Sequence, residues 1–119
     1  MNKDTFTRYI FTTYSIEPDY PWAKYPDYAV FRHINNRKWF ALLMHIPAAF
    51  LGQHDDETRL LDVVNLKVPP DLIDVLRSQP GIYPAWHMDK IHWVSVALGE
   101  ADDDTMRRLV EDSYRLTAK

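Results

Sequence analysis

A chain of 119 residues, 46% hydrophobic and 26% charged, fits a single domain over residues 1–119 and excludes long disorder and low-complexity tails. With no cysteine, disulfide frameworks, thiolate zinc sites, iron–sulfur clusters and thiol nucleophiles drop out together, and a net charge of −3 argues against an indiscriminate nucleic-acid coat. The longest apolar run, Trp39 to Met44, is far short of the roughly 20 residues that cross a bilayer, so the expectation is a cytoplasmic protein without a membrane partner.

Phe6, Tyr9, Ile10 and Tyr14 form a helical stripe, with Asp4 the expected N-cap, and Glu17-Pro18-Asp19-Tyr20-Pro21 stops that helix. Tyr25-Pro26-Asp27 makes a turn. Ala29 to Ile34 and Lys38 to Ile46 predict a hairpin about a tight Asn35-Asn36 turn. Pro47 through Arg59 reads as a connecting excursion, and Leu61 to Val68 as a third strand. Pro69-Pro70-Asp71 opens a short helix over Leu72, Ile73, Val75 and Leu76, which Gln79-Pro80-Gly81 ends.

Ile82 to Asp89, rich in Pro, Trp and His, predicts an ordered loop. Ile91 to Leu98 alternates as a strand whose His92, Val94, Val96 and Leu98 face is the more aliphatic. Asp102, Asp103 and Asp104 open a last helix with Met106, Leu109, Val110, Ser113 and Tyr114 on one stripe. The pattern predicts an α+β fold of two layers, an antiparallel sheet with helices on one face in the order α-β-β-β-α-β-α. Within it Trp93 is expected in the core against a helix, and Trp86 more exposed.

The three glycines, at 52, 81 and 99, are isolated, which excludes P-loop and dinucleotide fingerprints; no G-x-S-x-G elbow exists. Histidines 33, 45, 54, 87 and 92 show no H-E-x-x-H spacing, and the best hard-cation candidate, His54-Asp55-Asp56-Glu57, reads more simply as a solvated acidic loop. No metal, cofactor or catalytic residue is expected; an enzyme ranks last, with His87 or His92 its general acid or base. Residues 29–46 carry Arg32, Arg37 and Lys38 without an acid, whereas residues 99–112 carry six acids against Arg107 and Arg108. A basic hairpin with Trp22, Trp39, Trp86 and Trp93 interleaved in the chain has the chemistry to meet phosphates and stack on bases.

Asn65-Leu66-Lys67-Val68-Pro69-Pro70, then Pro80-Gly81-Ile82-Tyr83-Pro84-Ala85-Trp86-His87-Met88-Asp89-Lys90-Ile91-His92-Trp93, and closing Ser113-Tyr114-Arg115-Leu116, resemble the MmcQ/YjbR family in residue type and order. Lys38-Trp39-Phe40-Ala41 resembles the family's K-x-F-A strand, and Tyr25-Pro26 through Val30-Phe31 its approach to the first hairpin. The resemblance implies a small bacterial cytoplasmic protein with a frataxin-like (CyaY-like) α+β fold, a DNA-binding label given on structural grounds, and no established catalysis. Carried over by position, the recurrent polar residues are Lys38, Lys67, His87, Lys90 and His92, with Met88, Trp93 and Tyr114 as apolar neighbours. The excursion over residues 47–59 is longer than that pattern requires. A frataxin-like iron role fits poorly, since the first helix has only Asp4, with Glu17 beyond it.

The leading expectation is therefore a non-enzymatic protein contacting DNA phosphates through Arg32, Arg37 and Lys38, joined by Lys67 and Lys90. The alternative is an anionic or aromatic small molecule held by Lys67, His87, Lys90 and Trp93, with His92 and Trp86 beside them.

Overall fold

The computed structural model describes residues 1–52 and 59–119, so the His54–Glu57 quartet lies outside the described residues. Helix α1, Lys3–Tyr14, is capped by Asn2, whose side chain accepts from the Thr5 amide at 2.8 Å. Asp4 is not the cap. It sits in the first turn, where its charge suits the helix dipole. Strand β1 is Ala29–Arg32, β2 Trp39–Pro47 and β3 Leu60–Lys67. The 3-10 turn Pro70–Leu72 leads into α2, Ile73–Arg77. The predicted loop opens instead as a short strand, β4, Ile82–Pro84, ahead of β5, Trp93–Ala97. Helix α3, Asp103–Leu116, starts from Asp102, whose carboxylate accepts from the Thr105 amide at 3.2 Å.

The five strands form one antiparallel sheet in the order β1-β2-β3-β5-β4. Pattern reasoning missed β4 because it is three residues long and ends on a proline, which suits an edge position where one side of the strand has no ladder partner. Gly81 just before it is glycine of necessity: its φ is +82°, and a Cβ there would lie 2.6 Å from the amide nitrogen of Ala101.

All three α-helices bury their apolar stripes against one face. Phe6 and Ile10 of α1, Ile73 and Leu76 of α2, and Met106, Leu109 and Val110 of α3 pack with Phe31, Phe40, Leu43, Val64, Leu66, Val94 and Val96. The aliphatic face of β5 is the one the helices cover, not the Trp93 face expected there. The opposite face carries its own apolar cluster of Val30, Leu42, Met44, Ile46, Val63 and Ala97, joined by Leu51 of the 3-10 turn Ala48–Leu51, and no described α-helix contributes to it.

One irregularity decides which aromatic goes where. Phe31 pairs with Ala41 but Arg32 pairs with Trp39, so Phe40 is an extra residue in β2. The bulge lets Phe40 and Ala41 both enter the helix-side core and hands Trp39 to the other face. Ser113 of α3 stabilises it. Its buried hydroxyl donates to the Phe40 carbonyl at 2.6 Å and accepts from the Lys67 amide at 2.9 Å, serving main-chain groups at the bulge and at the end of β3. The hairpin connection is accordingly longer than a tight Asn35-Asn36 turn. It closes where the His33 amide meets the Lys38 carbonyl at 2.9 Å, with Arg37 in the left-handed region at φ +63°.

His33 faces the helix layer at 3% exposure, its Nε2 2.8 Å from the Thr117 hydroxyl. Burial pulls its pKa below the ordinary 6.5, with a lesser push from Lys38, against the opposing hydrogen bond to the Tyr114 backbone. The unfolded chain therefore binds this proton first as pH falls, so His33 contributes stability above pH 6.5 and loses it below, until the folded pKa is passed. Urea titrations between pH 7.5 and 5.5 are expected to show the wild type weakening more than His33→Asn over that window. Parallel pH dependences would refute a buried neutral imidazole.

Candidate functional site

Of the basic residues named from the sequence, Arg32 and Arg37 come together, at Asp19. Arg32 lies on the helix-free face, its Nε 2.9 Å from the Asp19 carboxylate and its guanidinium 5.5 Å from the centre of the Trp39 ring. Arg37 reaches the same Asp19 oxygen at 3.5 Å, so the two guanidiniums share one counter-ion. Lys38 extends to the main-chain oxygen of Lys119. Lys67 stands directly across from Trp93 in the β3–β5 register. His92 pairs through Nδ1 with Asp89, and that hydrogen bond, followed by one from the Ile91 amide, holds the Asp89 pKa below the usual carboxylate range. Lys90 is exposed in the same turn.

Trp93 is not core. It shares the strand face of Ser95 and Ala97, which points away from the helices, and it is only half-buried at the start of β5. Trp86 is equally half-buried and packs on the second cluster. Alternation established correctly which residues share a face; which face the helices cover is a tertiary fact.

That helix-free face has an organised centre. Val30, Leu42, Asn65, Ser95 and Tyr83 stand in one row across all five strands. Asn65 and Ser95, both fully buried, form a polar bracket within it. The Trp86 amide donates to the Ser95 hydroxyl at 2.9 Å, that hydroxyl donates to Asn65 Oδ1, and Asn65 Nδ2 donates to the Trp86 carbonyl at 2.7 Å. Both main-chain polar groups of Trp86 are thereby fixed to the sheet, although Trp86 is in no strand. The chain then turns at His87, whose φ of +65° is left-handed and costs a non-glycine residue about 1 kcal/mol.

The opposite wall comes from the segment before β1. Asp19 bridges to Val30, and successive turns link the Tyr25 amide to the Trp22 carbonyl at 3.2 Å and the Tyr28 amide to the Tyr25 carbonyl at 3.1 Å. Three rings spaced three residues apart are thus brought together. Tyr25 and Tyr28 stack at 4.8 Å, while Trp22 meets Tyr28 edge-on at 6.3 Å and Trp39 at 5.7 Å. Burial, and secondarily the neighbouring Tyr25, raises the Tyr28 pKa, which keeps that phenol neutral. On the other side Phe50 stacks on Trp86 at 4.7 Å, and the His87 ring lies 4.4 Å from the same indole.

Between these walls is a cleft of about 430 Å³, lined by Trp22, Tyr25, Tyr28, Trp39, Phe50, Trp86, His87 and Met88, with Leu42 and Met44 among the lining residues from β2. A wider depression of about 610 Å³ beside α1 has Lys3 and Arg8 interspersed with Asp4 and Glu17. Its charges balance each other along an open helix flank, so the smaller aromatic cleft is the better candidate for a specific ligand. Among the described residues no group of three or more His, Asp or Glu side chains gathers as a metal site. No described helix is long and apolar enough to cross a membrane.

The YjbR family model matches residues 12–116. The chain belongs to the YjbR family. It is 39% identical to the uncharacterized protein YyaQ of Bacillus subtilis over 118 residues, 98% of each chain. A crystal structure of a Pseudomonas syringae protein shares 49% identity and superposes with a TM-score of 0.94, covering 98% of this chain and 99% of that one. A Deinococcus radiodurans protein with a DUF419 domain is more distant, at 26% identity and a TM-score of 0.61 over 87% of this chain and 69% of its own.

Of the polar residues singled out in this YjbR chain, only His87 lines the cleft; of the four tryptophans, Trp22, Trp39 and Trp86 do. Met88, expected as an apolar neighbour of the site, lines it too, whereas the sequence reading does not point to Tyr25, Tyr28, Phe50 or Met44 as site residues. The period-three spacing of Trp22, Tyr25 and Tyr28 was the available signal, hidden because Tyr25-Pro26 reads as an ordinary turn. Nothing local flags Asn65 or Ser95 as a bracket, since their partner Trp86 joins them only through the β3–β5 pairing.

Proposed function

We propose that the protein is a binding protein for a small planar, largely apolar molecule seated in this cleft. The supporting observation is the wall of Trp86, whose two main-chain polar groups are held by the fully buried Asn65 and Ser95, opposite the rings of Trp22 and Trp39. A pre-formed wall lowers the ordering cost of binding, and flat rings favour stacking over hydrogen-bond readout. The anion-directed version of this reading, built on Lys67, His87, Lys90 and Trp93, draws less support, since neither lysine lines the cleft. Contact with DNA through Arg32, Arg37 and Lys38 remains the competing proposal, weakened because Asp19 already offsets charge on both arginines.

A thermal-shift panel of flat heteroaromatics, nucleotides and phosphorylated metabolites separates these readings. At a hundredfold excess over Kd a true ligand raises the melting temperature by about 10 °C. Phe50→Ala, which removes a ring that is 49% exposed, is expected to leave stability within about 1 kcal/mol and to weaken that ligand by about tenfold through the lost stacking. No shift at millimolar concentrations would sink the small-molecule reading. Anisotropy titration of a labelled duplex, with salt-sensitive binding lost in the Arg37→Ala, Lys38→Ala double variant, would favour DNA.

A further inference from the structure

We propose that the molecule taken by this cleft carries a positive charge beside its ring, an aryl ammonium or similar planar cation, an inference that rests on the reading of the cleft as a small-molecule site. Among the described residues the lining contains no Lys, Arg, Asp or Glu, so none of them forms an ion pair with an anion or holds a cation by a carboxylate. What it offers instead is π-surface. Aromatic rings present negative charge on their faces, most strongly indole, and a cation within about 6 Å of a ring centre is attracted to it.

The rings of this lining meet one another at steep angles. The Trp22 and Trp39 planes stand 86° apart with centroids at 5.7 Å, and the Tyr28 plane lies 79° from Trp22 with Tyr25 nearly parallel to it. Perpendicular aromatic walls form a corner, whereas a pocket built for a flat neutral molecule alone needs only parallel ones. Phe50 and Trp86, inclined at 30° to each other, supply that stacking wall on the far side for the planar part. One charge on the protein already uses this surface: the Arg32 guanidinium sits 5.5 Å from the Trp39 ring centre, oriented by its 2.9 Å pair with Asp19. An anion brought to the same lining would meet ring faces of its own sign, offset among the described residues by the Arg32 guanidinium on Trp39, whose charge Asp19 already pairs. A quaternary ammonium, with no N–H to hydrate, loses less on desolvation than a protonated amine does.

The test is an isosteric triplet measured by tryptophan fluorescence and calorimetry on the full chain: phenyltrimethylammonium, its carbon isostere tert-butylbenzene, and phenylphosphonate. The cation is expected to bind about tenfold tighter than the isostere, and the phosphonate not to bind. Protein grown with mono- and then difluorinated tryptophan keeps its shape while its indole faces lose negative charge. Affinity for the cation is then expected to fall stepwise and affinity for the isostere to hold. Equal binding of cation and isostere would overturn the charge preference and leave the aromatic cleft standing. Tighter binding of the phosphonate would overturn it in favour of an anion, and failure of all three would overturn it together with the small-molecule reading.

Discussion

Asn65→Ala is expected to lower stability by about 3 kcal/mol and to detach the Trp86 wall from the sheet. Asn65 is fully buried in β3, the middle strand of the sheet, where its amide donates to the Trp86 carbonyl and its oxygen accepts from Ser95. Truncation leaves a carbonyl and a hydroxyl proton without their partner, and a buried polar group so stranded costs about 1–3 kcal/mol. The lost volume in a close-packed row adds to this. Because Trp86 lines the cleft, ligand affinity should fall in the same variant, and the Trp86 amide should exchange faster. Ser95→Ala acts on the same network, so the double variant is expected to cost less than the sum of the singles. Denaturation and exchange values for Asn65→Ala that match the wild type would show that the bracket does not hold the wall.

Phe40→Ala should cost about 3–5 kcal/mol, whereas Trp93→Ala should cost about 1 kcal/mol, although tryptophan is the larger residue. Phe40 has no exposed surface, and its ring lies 5.1 Å from Tyr114, 5.2 Å from His33 and 5.8 Å from Tyr14. It ties β2 to both long helices, and deleting it opens a cavity that residues on three elements would have to fill. Trp93 is half-buried at a strand end and belongs to neither apolar cluster. Urea titrations with unchanged m-values rank the two variants directly. The reverse ranking would mean that Trp93 is buried against a helix after all.

That pair of variants also marks the boundary between local and tertiary information. Alternation within β5 sorts Val94 and Val96 from Trp93, Ser95 and Ala97, and helical periodicity selects the buried stripe of α3. Those are properties of short windows, because side-chain direction along one strand or helix is set by its own geometry. The class of fold and the amphipathic helices were legible for this reason, and the family through the ordered motifs that resemble it. Which face of β5 meets the helices has no local signature, and an indole in a strand reads as core wherever it points.

The cleft was beyond sequence reach for a related reason. A one-residue bulge at Phe40, recognised only from the pairing of Arg32 with Trp39, sends Trp39 to the helix-free side. Residues 65, 86 and 95 meet only because β5 inserts between β3 and β4. The basic hairpin was visible as charge along the chain, yet its counter-ion, Asp19, lies 13 residues before Arg32 and reaches it through a bridge to Val30. Composition and periodicity determined the elements and their apolar faces, since these depend on neighbours in the chain. Strand order, register and the single bulge determined the site, since it is assembled from residues that only the sheet brings within hydrogen-bonding or stacking distance.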